Sequence, residues 1–174
     1  MIRLRPFKNC DAKYIVSWID DEFSFRQWCA NRFESYPMTD EDLIKHYTEF
    51  AEDDSFFEIT ALDDCDVAGH LIMRFTDEQK TILRFGFIIV DSAKRGKGYG
   101  KQMLLLALEY AFNILKVKKV TLGVFENNMP AYYCYKSVGF TESEVDDEIF
   151  YSIFDEKWKC IELEMSDSKF NSMK

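Results

Sequence analysis

At 174 residues the chain falls short of the ~250 at which single cores tend to split, so one domain is expected over residues 1–165, followed by a loose tail at 166–174. Thirty-one acidic against 22 basic residues leave a net charge of −9, which excludes a non-specific nucleic-acid binder, whose footprint is clustered surplus cation. Hydrophobic residues make up 47% of the chain, with 16 Phe, 9 Tyr and 3 Trp, enough to fill a core and to exclude intrinsic disorder for its body.

In chain order, residues 2–7 read as a short strand, and 11–20 carries Tyr14, Ile15, Trp18 and Ile19 at helical spacing. Thr39 then caps a second helix over 40–52. Asp40, Glu41 and Asp42 fill its first turn, and Leu43, Tyr47, Phe50 and Ala51 share one face. Two β-rich runs, 56–62 and 67–75, flank Asp63-Asp64-Cys65-Asp66 and predict a hairpin. A third run, 81–90, ends in Phe87-Ile88-Ile89-Val90, continuous enough for a strand covered on both faces and central in its sheet. A helix follows from Lys101, with Leu104, Ala107, Leu108, Ala111 and Leu115 on one face, and then a strand at 118–125. Pro130 suits a helical first turn, residues 131–138 a short helix, and Gly139 its C-terminal cap. Cys160, Glu162 and Glu164 alternate with Ile161, Leu163 and Met165 in a last strand. The sum is a mixed α/β domain of six or seven strands with about four helices.

No run reaches the ~18 apolar residues of a membrane span, and Met1-Ile2-Arg3-Leu4-Arg5-Pro6 is no secretory signal, so a cytoplasmic protein without a membrane partner is expected. The five cysteines include no C-x-x-C pair, and the two histidines are too few for a His-based cluster. Reduced thiols and no metal follow.

The segment Lys94-Arg95-Gly96-Lys97-Gly98-Tyr99-Gly100-Lys101 joins the central strand to the next helix. Its alternate glycines let successive N–H groups converge on one anion without Cβ atoms in the way, and the helix N-terminus adds partial positive charge. Four cations crowd the same stretch. A pyrophosphate fits it; a flexible basic turn is the plainer alternative. The glycines run G-x-G-x-G, not the G-x-G-x-x-G of a dinucleotide fold, and Gln102 breaks the P-loop pattern.

Arg95, Gly98 and Gly100 match Arg-x-x-Gly-x-Gly, and Asn128, Ala131, Tyr135, Gly139 and Phe140 match Asn-x-x-Ala-x-x-x-Tyr-x-x-x-Gly-Phe after the next strand. In these two motifs, over residues 82–140, the chain resembles the GNAT superfamily of acetyl-CoA-dependent N-acyltransferases, and its opening resembles the ribosomal-protein alanine N-acetyltransferase branch. The resemblance implies a GNAT-like sheet and direct transfer of an acetyl group from acetyl-CoA to a primary amine. It implies that Arg95, Gly96, Lys97, Gly98, Tyr99, Gly100 and Lys101 hold the diphosphate. The backbone of Phe87, Ile88, Ile89 and Val90 would pair with the pantetheine arm, with an N–H near Phe87 or Ile88 stabilising the oxyanion. Asn128 would hold the arm, and Tyr135 would protonate the departing thiolate, although Tyr135 also reads as a packed aromatic.

An ordinary lysine amine is only ~0.1% neutral near pH 7, so something must take its proton. Relatives place a Glu early on the central strand, where this chain has Arg84. Glu58 is the base candidate put forward, with His70, Glu126 or a water chain as alternatives. A non-catalytic sensor that binds CoA or acyl-CoA is the rival to an enzyme. Acid clusters at Asp20, Asp21 and Glu22, at Asp53 and Asp54, and at Asp146, Asp147 and Glu148 read as solvated faces; the first would also draw a cationic acceptor, a protein N-terminus, polyamine or amino-sugar. Phe23, Phe25, Trp28 and Phe33 suit an acceptor wall, the core or a homodimer contact equally.

Overall fold

The computed structural model describes residues 1–144 and 148–173. Strands β1 (Ile2–Pro6), β2 (Phe56–Asp63), β3 (Asp66–Phe75), β4 (Ile82–Val90), β5 (Lys119–Phe125), β6 (Thr141–Glu142), β7 (Ile149–Ile153) and β8 (Glu156–Ser166) form one sheet in the order β1-β2-β3-β4-β5-β8-β6, with β7 also on β8. Among the described residues only β4 and β5 run parallel; every other pair is antiparallel. The helices are α1 (Ala12–Ser17), α2 (Glu22–Cys29), α3 (Asp40–Thr48), α4 (Tyr99–Glu109), α5 (Met129–Val138) and α6 (Asp167–Ser172). Among the described residues none is long and apolar enough to cross a membrane.

Two large cores cover the two faces of the sheet, and a smaller third cluster gathers Ala30, Phe125, Ile153, Trp158 and Cys160. Helices α4, α5 and α6 pack Leu104, Leu108, Val138 and Phe170 on Leu71, Leu83, Phe85, Val120 and Leu163. Helices α1, α2 and α3 pack Ile15, Phe25, Leu43 and Tyr47 on Phe56, Phe87 and Ile89. Strand β4 feeds both. Leu83 and Phe85 point to the first core, yet Phe87 and Ile89, which strict alternation would send the same way, belong to the second. The switch comes from a bulge: β3 pairing jumps from His70↔Ile89 to Ile72↔Gly86, and Phe87 takes φ 47°.

The element count exceeds the expected six or seven strands and four helices. Helix α2 shows only Phe25 and Cys29 buried along one face, too weak a period to read, and is started by Asp21, whose carboxylate accepts from the Ser24 N–H at 2.7 Å. Strand β7 is tied to β8 by a tight turn in which Phe154 and Asp155 both have positive φ, a conformation that Asp tolerates but Phe does not advertise. The expected loose tail is corrected as well. Ser166 caps α6 through the Lys169 N–H, and Phe170, 4% exposed, lies 5.1 Å from the ring of Phe112.

Candidate active site

The parallel pair β4–β5 is joined only at Ile82↔Lys119, Leu83↔Val120 and Arg84↔Thr121. Beyond Arg84 the strands part, although β4 runs on to Val90 and β5 to Phe125. The edge of β4 facing β5 is therefore free of ladder bonds from Phe85 onward, and the bulge leaves Phe87 and Ile88 without partners on β3 too. Backbone strain at a bulky residue such as Phe87 persists where packing over-determines it. Here Trp28 and Phe33 hold the ring, at 4.9 and 5.9 Å between centroids.

The C-terminal end of β4 leads through a turn at Ser92–Lys94 into the glycine loop. Gly96 and Gly98 take φ 74° and 83°, and Gly98 is the N-cap of α4, with no side chain satisfying the first amides of the helix. Those N–H groups, with the helix dipole, fit an anion. A Cβ on Gly100 would come within 3.3 Å of Cys134 Sγ on α5, so this glycine sets the α4–α5 approach instead.

The loop's cations converge less than their spacing suggests. Lys94 Nζ and the Tyr99 hydroxyl both donate to Asp63, at 3.0 and 2.7 Å, and hold that carboxyl down at about 2. Arg95 reaches back to the carbonyls of Val90 and Trp18, and Lys97 to that of Ala93. Only Lys101 stands without a hydrogen bond or ion pair among the described residues of this stretch. The hairpin aspartate, read from sequence as turn chemistry alone, organises the loop.

Asn128 is the N-cap of α5, accepting from the Ala131 N–H at 3.4 Å through its side chain. Tyr135 lies on the inward face of α5, 7% exposed, with no hydrogen-bond partner for its hydroxyl among the described residues, and burial pushes the phenol above its usual range.

A cavity of about 320 Å³ opens on the opposite, α2–α3 face, and reaches the splay at Phe85, Gly86, Phe87 and Gly123. Trp28, Phe50, Phe56, Phe125 and Tyr151 wall it. Its floor holds Arg84, which replaces the expected carboxylate. That guanidinium forms a two-bond pair with Glu162 on β8, at 2.6 and 2.8 Å, spanning β5 across Gly123. A Cβ on Gly123 would lie 2.7 Å from Arg84 Nη2 and 3.0 Å from Glu162 Oε1, so a side chain here would force the pair to shift.

The base candidates separate by position. His70 is fully buried, its Nε2 2.6 Å from the Tyr47 hydroxyl and its pKa pushed down to about 3 by burial, which takes it out of the site. Glu126 is exposed beyond the end of β5. Glu58 does not line the cavity: its register opposite Ile72 sets it one step past Phe56, beside Tyr47, where burial raises its pKa. His46, missed in the sequence, lines the cavity 5.8 Å from the ring of Phe87. Burial, assisted by Arg32 and opposed by Glu49, lowers its pKa and keeps the imidazole neutral. Position i+3 from Leu43 gave a signal too ordinary for sequence to use.

Asp20, Asp21 and Glu22 do not line this cavity. Asp21 caps α2, Glu22 lies 3.6 Å from Arg26 and Asp20 3.9 Å from Arg95. Asp146 and Asp147 lie outside the described residues.

The profile of the acetyltransferase (GNAT) family matches residues 13–140. Spermidine N(1)-acetyltransferase of Escherichia coli (strain K12) is 25% identical over 151 residues, 86% of this chain and 78% of that protein. The corresponding enzyme of Vibrio cholerae serotype O1 is 25% identical over 146 residues, 81% and 79% of the two chains. The crystal structure of spermidine N-acetyltransferase from Vibrio cholerae in complex with CoA and spermine shares the fold, with a TM-score of 0.81 at 21% identity over 98% of each chain.

Proposed function

The chain belongs to the acetyltransferase (GNAT) family and is an acetyl-CoA-dependent N-acetyltransferase, and from that premise we propose how its residues divide the transfer. The observation that carries the assignment is the splay of β4 from β5, which lies between the glycine loop on one side and the aromatic cavity on the other. The first amides of α4, with Arg95, Gly96, Lys97, Gly98, Tyr99, Gly100 and Lys101 around them, hold the diphosphate. The unpaired backbone of Phe87, Ile88, Ile89 and Val90 receives the amide groups of the pantetheine, which places the thioester at the cavity's inner end. A free N–H at the bulge faces the developing oxyanion, where one such donor is worth about 2.7–4 kcal/mol. Asn128 fixes the start of α5 beside the arm, and Tyr135 on the same helix donates to the departing sulfur.

The amine enters from the α2–α3 face. His46 takes its proton, directly or through one water, because it is the neutral base lining that cavity. A polyamine is the acceptor class that the relatives' names support.

Thiol release from acetyl-CoA over a panel of primary amines tests the assignment, and a protein that binds acetyl-CoA yet releases thiol with none of them would be the non-catalytic sensor instead. His46→Gln is expected to lower kcat/KM by about 10²-fold. In the parent protein the acid limb of kcat/KM should lie below the ordinary histidine value of about 6.5, because a lowered pKa keeps the imidazole neutral further into acid. Glu58→Gln is expected to leave that limb in place; its disappearance in Glu58→Gln but not His46→Gln would transfer the role to Glu58.

A further inference from the structure

The protein carries a net charge of −9, yet no Asp or Glu is among the described residues lining the large cavity, while Arg32, Arg74 and Arg84 are. Arg84 is neutralised by Glu162 beneath it. The guanidinium groups of Arg32 and Arg74, residues that are both exposed where they line the cavity, make no hydrogen bond or ion pair among the described residues. Arg74 faces Arg84 directly across β3 and β4, a like-charge pairing that weakens a sheet unless something else offsets it. Burial and the fields of Arg32 and Arg84 depress the Arg74 pKa, with Asp53 opposing them least, so the three guanidinium groups share one field. The indole Nε1–H of Trp28, in the same wall, is buried without an acceptor. Arg32, Arg74 and Trp28 have donors only to offer.

We infer that this cavity binds an acceptor whose primary amine is tethered to an anionic group, a carboxylate or a phosphate, with Arg74 and Arg32 on the anion and the amine directed to Phe87. The inference rests on the cavity being the acceptor side of the transfer. A volume of about 320 Å³ admits a ligand of amino-acid size, and the aromatic wall suits an apolar body between the two ends. A polyamine, cationic along its whole length, meets the positive field of Arg32 and Arg74 here, so the inferred acceptor departs from the class that the relatives' names carry.

The test compares matched acceptors by thiol release: phenylalanine against phenethylamine for a carboxylate, phosphoethanolamine against ethanolamine for a phosphate, and spermidine as the all-cationic arm. The anionic member of at least one pair is expected to exceed both its partner and spermidine in kcat/KM. Arg74→Gln should cut the preference for the anionic member about tenfold or more, the value of one lost charge-assisted hydrogen bond, with Arg74→Lys retaining part of it. A parent protein that favours spermidine or the uncharged-tail amines, or a preference that neither Arg74→Gln nor Arg32→Gln alters, would overturn the inference. Should no amine release thiol, the catalytic assignment falls and the anion site is read separately by calorimetry. N-acetylphenylalanine binding more tightly than N-acetylphenethylamine, dependent on Arg74, supports it, and equal affinities refute it.

Discussion

Tyr135 illustrates how one environment sets both the use and the limit of a side chain. Burial keeps the phenol protonated at every working pH, which a donor needs, and makes a full tyrosinate costly, so the part we propose for it is a hydrogen bond into the developing thiolate rather than complete ionisation. Tyr135→Phe, which keeps the packed ring, is expected to lower kcat by about 10²-fold with acetyl-CoA affinity unchanged. Full turnover in that variant would return Tyr135 to a packing role. The motif spacing singled this residue out; nothing comparable pointed to His46. A lone histidine on an amphipathic helix face carries no label, and only the bulge that turns Phe87 toward α3 makes it a neighbour of the proposed reacting centre.

Among the elements, the three-strand bridge from Arg84 to Glu162 is held open by the missing side chain of Gly123. Gly123→Ala is expected to destabilise the protein by about 1–3 kcal/mol, the usual cost of overpacking. Its KM for the acceptor should also rise, since Arg84 floors the cavity; an unchanged denaturation midpoint would show the strands can yield. What sequence could read here was local. The glycine loop, the Gly139 cap and the apolar β4 declare themselves through residue type and period, and each appears where expected. Features that depend on distant partners stayed hidden: Asp63 gathering Lys94 and Tyr99, Glu162 answering Arg84, and Phe170 anchoring a terminus of polar composition. The Arg84 departure looked like a lost carboxylate, whereas the pairing shows the charge of that position reversed and balanced from another strand.

At the scale of the whole molecule, acidic composition and a cationic cavity divide the electrostatics between surface and site. The buried His70 adds a pH dependence of its own. Its pKa is pushed down to about 3 in the folded protein against about 6.5 when unfolded, so between those values the unfolded chain binds the extra proton. Stability should therefore fall as pH drops through that window, by about 1.4 kcal/mol per pH unit for one proton. Asp11, whose pKa is held down by Arg5, Lys8 and Thr60 against the opposing effect of burial, adds a loss in the same direction at lower pH. Denaturant midpoints from pH 7 to 4 measure the slope, and His70→Gln should flatten it; an unchanged slope would place the proton elsewhere.

The splayed strands and the amide loop together make the proposed site for a thioester carrier gripped at its diphosphate. Calorimetric titration of acetyl-CoA into the parent protein and into Gly98→Val, whose φ of 83° a β-branched residue resists, tests this most directly. Tight binding of acetyl-CoA, weaker binding of ADP for want of the pantetheine arm, and a loss of about tenfold or more for acetyl-CoA in a folded Gly98→Val are expected. Equal affinity for acetyl-CoA and ADP, or a Gly98→Val protein that binds acetyl-CoA as well as its parent, would contradict the account.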